Sequence, residues 1–445
     1  MRFLLIGASL VGAFILLGAR PAPRPLLSPT LPYRSADRTE GTVACASTVC
    51  HGSLTPWKES GVLQNEYVTW TRLDKHAQAW TILTNEQSKK IAKNLGLERP
   101  ASESALCLDC HAHNVAKKNR SERFVLSDGV TCEACHGPSG RWITSHAKKE
   151  TTHSQNVDDG LYPIDDPVAR AKLCLSCHGG NADRFVTHRI MSAGHPRISF
   201  ELETFSMIEP AHFALSRAEH PQAKSWNGVR IWAAGQAVAV SEQMTLLMNP
   251  SRNHDGPFPE LVMFDCNACH HLKSDRRWKP QGAFGATPPP GIVRLNDANL
   301  LMLRVIARQI DSTLADRVTQ RAAALQAANA GTGDMIAAAK SMKEAAEEVG
   351  QRVQTVTFSP VVMASLALAV IDEGIDGRFQ DYAGAEQAYM SLGSVVDFMN
   401  RNGELKNAEG VNKALGEIGD SLRSDETWKP ADFQARLAEI RKLIR

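Results

Sequence analysis

Gly129-Val130-Thr131-Cys132-Glu133-Ala134-Cys135-His136-Gly137-Pro138 is the stretch on which the reading of this chain turns. Two cysteines separated by two residues, with a histidine directly after the second, form the C-x-x-C-H pattern of c-type haem attachment. Two thioether sulfurs fix the porphyrin edge, and the adjacent imidazole reaches the iron as proximal ligand. The pattern recurs at Cys107/Cys110/His111, Cys174/Cys177/His178 and Cys266/Cys269/His270. A longer version, Cys45-Ala46-Ser47-Thr48-Val49-Cys50-His51, spaces its cysteines by four residues but keeps the Cys-His step.

These motifs consume all ten cysteines, and none lies beyond Cys269. Zinc sites built from C-x-x-C pairs have no need of a histidine after each pair. Histidine makes up only 15 of the 445 residues, so five such placements are not coincidence. A disulfide framework suits a much smaller chain. The expected cofactor is therefore haem c, five groups, covalently bound, with no structural disulfide.

Composition is that of a folded globular protein, with 22% charged and 43% hydrophobic residues. The formal net charge of +2 calls for no nucleic-acid partner. Each haem adds two propionates, of which a ferric porphyrin core offsets about one charge. The oxidised holoprotein should thus sit near −3, to order of magnitude.

Residues 1–20 carry an apolar stretch, Phe3 to Gly18, behind Arg2. This reads either as a secretory signal peptide or as an uncleaved membrane anchor. Residues 21–39 follow as a proline-rich flexible tether. Haem attachment in bacteria takes place beyond the inner membrane, so the haem region, residues 40–280, is expected in the periplasm, either soluble after signal cleavage or anchored. With so many haems on so few residues, the porphyrins must supply much of the buried apolar surface. Helical spacing marks Asp74–Leu95, and Gly228–Met248 is apolar on most faces. Lys279–Gly291 is rich in breakers, and residues 281–292 are read as a linker. Residues 293–445 hold no cysteine or histidine and read as a helical bundle. Its expected helices are Asp297–Gln326, one starting at Ser359-Pro360, Ala383–Asn400, Gly410–Arg423 and Ala431–Ile444. The fold class is mainly α: a multihaem cytochrome c domain with little regular secondary structure between motifs, then a C-terminal helical bundle.

Several strings resemble the multihaem cytochromes of the cytochrome c-554/c-prime type. They are Asp74-Lys75-His76-Ala77-Gln78-Ala79-Trp80, the Gly129–Pro138 motif, Thr187-His188-Arg189-Ile190-Met191-Ser192-Ala193-Gly194-His195-Pro196-Arg197 with Phe200-Glu201-Leu202, and Phe264-Asp265-Cys266-Asn267-Ala268-Cys269-His270-His271. The resemblance covers residues 40–275. It implies a mostly helical haem domain, closely spaced haems and mainly bis-histidine ligation. Members of that family include electron carriers and relatives that act on small nitrogen or sulfur species. The fifth haem, the longer first motif and the added bundle depart from the tetrahaem carrier.

Beyond the proximal five, the favoured distal ligands are His76, His146, His188, His195 and His212, which match five irons in number. His188 and His195 are expected to serve two different haems. His113 and His271 follow their own proximal histidines too closely to reach the same iron, and His153, His220 and His254 read as solvated. The clusters Lys117/Lys118/Arg120/Arg123 and Lys273/Arg276/Arg277/Lys279 read as solvated faces, or as partners for propionates or an acidic protein. Electron transfer is the favoured function, with redox partner proteins or a membrane respiratory complex as partners. The alternative is a multihaem oxidoreductase acting on a small nitrogen or sulfur species at one open-site haem. No C-x-x-C-K marks such a haem here. Intact mass should show five covalent haems and no free thiol. A mass showing four would remove the first motif, leaving Cys45 and Cys50 for a disulfide.

Overall fold

The computed structural model describes residues 29–58, 62–212, 227–270, 284, 289 and 291–444. The N-terminal apolar stretch, residues 21–28 of the tether, most of the linker, His220, His271 and the Lys273–Lys279 cluster lie outside the described residues. No helix among the described residues is long and apolar enough to cross a membrane.

The chain is mainly helical. Its haem region holds α1 (Glu66–Leu73), α2 (Ala79–Ile82), α3 (Glu86–Leu95), α4 (Ala105–His111), α5 (Cys132–His136), α6 (His153–Asp158), α7 (Pro167–His178), α8 (His188–Ser192), α9 (Leu202–Ile208) and α10 (Gly228–Met248). A two-stranded hairpin pairs His254–Asp255 with Phe258–Pro259. The C-terminal part holds α11 (Ala298–Ile310), α12 (Ser312–Asn329), α13 (Met335–Val353), α14 (Pro360–Ile375), α15 (Tyr382–Arg401), α16 (Ala408–Ser421) and α17 (Pro430–Leu443).

Local chemistry sets the element boundaries. Helix α7 starts where Pro167 takes the first position and the Asp166 side chain accepts from Ala169 N at 2.7 Å. It then runs into Cys174 and Cys177, whose i, i+3 spacing puts both thiols on one helical face. The Asp74–Leu95 stretch is not one helix. Asp74 Oδ1 accepts from His76 N at 2.9 Å and opens a 3-10 turn, and Asn85 recaps α3 by accepting from Ser88 N at 2.8 Å. Asp297–Gln326 likewise divides at Asp311, whose extended backbone ends α11 and whose Oδ1 accepts from Leu314 N at 2.9 Å to start α12. Ser359 caps α14 through Val362 N. Helix α13 went unread in the sequence, where its alanine-rich face of Ala339, Ala345 and Ala346 gives a shallow apolar stripe.

Apolar packing is uneven along the chain. One large cluster unites α10 with α11 to α17, centred on Trp232, Met244, Leu301, Leu303, Val349 and Leu392. Helix α10 lies against α13, α7, α11, α9 and α15, so this core crosses the linker that separates haem motifs from bundle in sequence. The Trp232 indole N–H donates to Ser391 Oγ at 2.8 Å, and Gly235 admits Leu202, which would stand 2.7 Å from a Cβ placed there. Around the first four motifs the clusters are small: Leu83, Ala92, Ala101, Leu108 and Ala112 in one, Tyr162, Ala169 and Leu173 in another. Large apolar side chains such as Leu73, Leu106 and Ile208 are exposed there. These are the surfaces that porphyrin faces would cover.

A buried charge cluster ties the fifth motif to the helical core. Arg294 pairs with Asp381, lies 3.5 Å from Asp297 and 3.9 Å from Asp265, and accepts at its backbone oxygen from Asp265 N at 2.9 Å. Burial raises the carboxyls of Asp265 and Asp297 above the usual range, and the guanidinium opposes that shift. Replacing Arg294 with leucine strands three carboxyls around an apolar side chain. Loss of one partner of a buried ionic group costs about 3–5 kcal/mol, so the urea midpoint of Arg294→Leu should fall accordingly. Arg294→Lys, which keeps the charge but not the forked geometry, should lose less.

Candidate haem sites

Each of the five motif histidines faces one other histidine. Ring centroids are 6.2 Å apart for His51 and His146, 6.3 Å for His111 and His195, and 6.4 Å for His136 and His212. They are 6.0 Å apart for His178 and His76, and 6.3 Å for His270 and His188. An imidazole nitrogen sits about 2 Å from its metal and about 1.1 Å from its own ring centre. Two imidazoles on opposite sides of one iron therefore stand roughly 6.3 Å apart. The spacing of every pair fits an iron between its rings. The partner histidines are the five singled out in the sequence, and His188 and His195 stand against different motifs.

The ring planes differ. His51 and His146 are 13° from parallel and His188 and His270 are 36°, whereas the other three pairs cross at 77° to 86°.

Most of these imidazoles are oriented through Nδ1, which leaves Nε2 to face its partner ring. His111 and His195 have their Nδ1 3.1 Å from Ala79 O and 2.8 Å from Pro196 O. His146 and His212 lean on Trp142 O at 3.3 Å and Pro210 O at 3.4 Å. His51 and His76 have carboxylates instead: Glu66 Oε2 and Asp74 Oδ1, each at 3.0 Å. These hydrogen bonds raise His51 and His76 above the ordinary imidazole range despite burial. Burial takes His136 and His178 down to about 4, keeping them in the neutral form that ligation needs. His188 is placed through its backbone: its N donates to the buried Glu260 Oε1 at 2.8 Å.

The motifs are held against one another by groups not singled out in the sequence. Glu133, inside the third motif and almost fully buried, accepts from Glu40 N at 2.9 Å, Gly41 N at 2.8 Å, and Ser139 N and Oγ at 2.8 and 2.7 Å. It thereby fastens the approach to the first motif onto the third. Arg184 similarly bridges the second and fourth motifs, donating to Asp109 O and, at 3.2 and 2.8 Å, to Ser176 O and Oγ. Haems bound at motifs one and three, and at motifs two and four, would therefore be neighbours. Gly129 lets Val130 N reach His76 O at 3.0 Å, because a Cβ at Gly129 would lie 2.6 Å from that oxygen. The run before the third motif thus fixes the ring partner of the fourth.

The remaining described histidines stay outside this pattern. His113 is buried beside Phe124 with Nδ1 3.1 Å from Thr131 Oγ1, and burial pushes it down to about 3. His153 lies 3.4 Å from Asp165 on the surface, and exposed His254 contacts Asn253. Asp74, His76 and Glu209 bring ligand atoms close together, but the His76 ring already faces His178. Arg120 is partly tied down by Val115 O and Asn114, whereas Lys117, Lys118 and Arg123 are exposed.

No curated protein and no solved structure matches the chain. The family model for cytochrome c554 and c-prime matches residues 43–137, which span the first three motifs and His76. That match supports a c-type cytochrome with covalently bound haem c, similar over this part of the chain to cytochrome c554 and c-prime.

Proposed function

We propose that this protein is a periplasmic pentahaem electron-transfer cytochrome with all five irons ligated by two histidines. The covalent sites are Cys45/Cys50, Cys107/Cys110, Cys132/Cys135, Cys174/Cys177 and Cys266/Cys269. The axial pairs are His51/His146, His111/His195, His136/His212, His178/His76 and His270/His188. The observation that carries this reading is that all five motif histidines have a ring partner at the spacing of a shared iron.

Haem in these positions would supply reversible one-electron chemistry. The chain's part is to fill both axial positions, to hold the rings through Nδ1 acceptors, and to keep the motifs adjacent through Glu133 and Gly129. With both axial positions filled, the protein relays electrons between partner proteins and offers no iron to a substrate. Without methionine ligands the potentials should lie low.

Low-temperature EPR of the oxidised protein tests this directly. Five low-spin haems are expected and no high-spin signal. The three crossed pairs leave two iron d orbitals nearly degenerate and should give strongly anisotropic signals. The near-parallel His51/His146 pair should give an ordinary rhombic one. A high-spin haem would favour the oxidoreductase alternative. His195→Met and His188→Met should each raise the potential of one haem, and not the same haem, by on the order of 100 mV within the ~0.8 V range that axial ligands span. Redox titration of the two single variants and the double variant checks this.

A further inference from the structure

The axial histidines differ in what braces them. Among the ten paired rings, His51 and His76 have a carboxylate oxygen at 3.0 Å from Nδ1. His111, His146, His195 and His212 have backbone carbonyls within 2.8–3.4 Å. The Glu66 and Asp74 side chains are themselves mostly buried, at 16% and 7% exposed, so solvent screens their charge little. Both are also held in place independently of the imidazole. Glu66 Oε1 accepts from Gln64 N at 3.1 Å, and Asp74 Oδ1 accepts from His76 N at 2.9 Å.

We propose that Glu66 and Asp74 are positioning residues that lower the reduction potentials of the first and fourth haems relative to the haems beside them. The inference rests on the bis-histidine reading above. A carboxylate that accepts the Nδ1 proton increases the basicity of the ring, and its negative charge lies one imidazole away from the metal. Ferric haem with its porphyrin carries one more positive charge than ferrous haem, so both effects favour the oxidised state. A carbonyl acceptor orients a ring equally well but brings no charge.

The placement of the two braces gives them a purpose. Glu133 of the third motif holds the backbone of Glu40 and Gly41 just before the first, and Arg184 bridges Asp109 O of the second motif to Ser176 O and Oγ of the fourth. Each close pair therefore contains one carboxylate-braced iron, at site one or site four. At the neighbouring site two both rings rest on backbone carbonyls, and at site three His212 Nδ1 rests on Pro210 O while the Glu209 carboxylate stands off at 4.0 Å. An electron entering either pair comes to rest on the third or second haem, and transfer within each pair runs in a preferred direction.

The test is a spectropotentiometric titration of the full-length holoprotein, with EPR of samples poised along it, for wild type, Glu66→Gln and Asp74→Asn. Both amides preserve shape and an oxygen acceptor for the backbone contacts. Each variant should raise one midpoint, with a roughly tenfold change in that one-electron equilibrium, about 59 mV. The other four midpoints should hold and five low-spin haems should remain. Glu209→Gln removes a charge that lies near both the Asp74–His76 cluster and, at 4.0 Å, His212 Nδ1, without removing the Asp74 acceptor, so its shift at the fourth haem should be smaller. Unchanged midpoints with five low-spin haems would overturn the tuning role and leave bis-histidine ligation standing. Loss of a low-spin signal in either variant would reduce that carboxylate to a structural support. An Asp74→Asn shift matched by Glu209→Gln would overturn the hydrogen bond as its cause. Fewer than five low-spin haems in wild type would instead defeat the ligation reading itself.

Discussion

An iron held between two imidazoles demands that two rings face each other at one narrow spacing, and the haem region brings two histidine rings to that spacing five times. Each motif supplies its own proximal histidine at no cost in chain geometry, since it is the next residue after the second cysteine. The opposing ring always comes from a different stretch, in four of the five pairs across an interval that contains other motifs. Short helices, 3-10 turns and capped breaks serve this better than long helices, because each places one histidine and then redirects the chain. The break at Asp74 shows the economy involved: the side chain that opens the turn also orients the His76 ring.

Buried acids do the remaining assembly. Glu133 gathers backbone donors from two motifs, Glu260 places His188, and Glu201 joins the haem side to α15. It accepts from Thr204 N and from Ser394 Oγ, each at 2.8 Å. Burial holds the Glu201 carboxyl above its ordinary range, and its hydrogen bonds offset part of that penalty. Such groups are costly when left unpaired, so each position in the interlaced region is specified by a polar contact and not by apolar packing, which is scarce there.

Much of this was legible in the sequence, for reasons that differ by feature. The motifs are covalent chemistry written in adjacent residues. The five ring partners could be selected by excluding histidines in the wrong local context, although no residue pattern tells which ring meets which. Pairing is a tertiary property, fixed by contacts such as Gly129 against His76 O. Bundle helices with clear caps, such as the one behind Ser359, were placed well, whereas Asp311 split a stretch whose apolar periodicity runs through the break. Helix α10 shows the limit of reading by position. Its all-round apolarity announced burial, but its main neighbour, α13, lies beyond the linker. Glu66 carried no signal, since it stands fifteen residues from the His51 it braces, and Asp74 was visible only as the first residue of the string that resembles the family.

The direction in which each ring pair is strung along the chain has a bearing on how the protein is made. His146, His195 and His212 follow the motifs they face, whereas His76 and His188 precede theirs. In a polypeptide delivered N-terminus first, the fourth and fifth motifs emerge to find their second imidazole already present. The first three must wait for sequence still to come. With an iron between each ring pair, as proposed, maturation would pass through species in which the early irons are capped on one side only, open for a time to any small ligand. The later sites close as soon as they form.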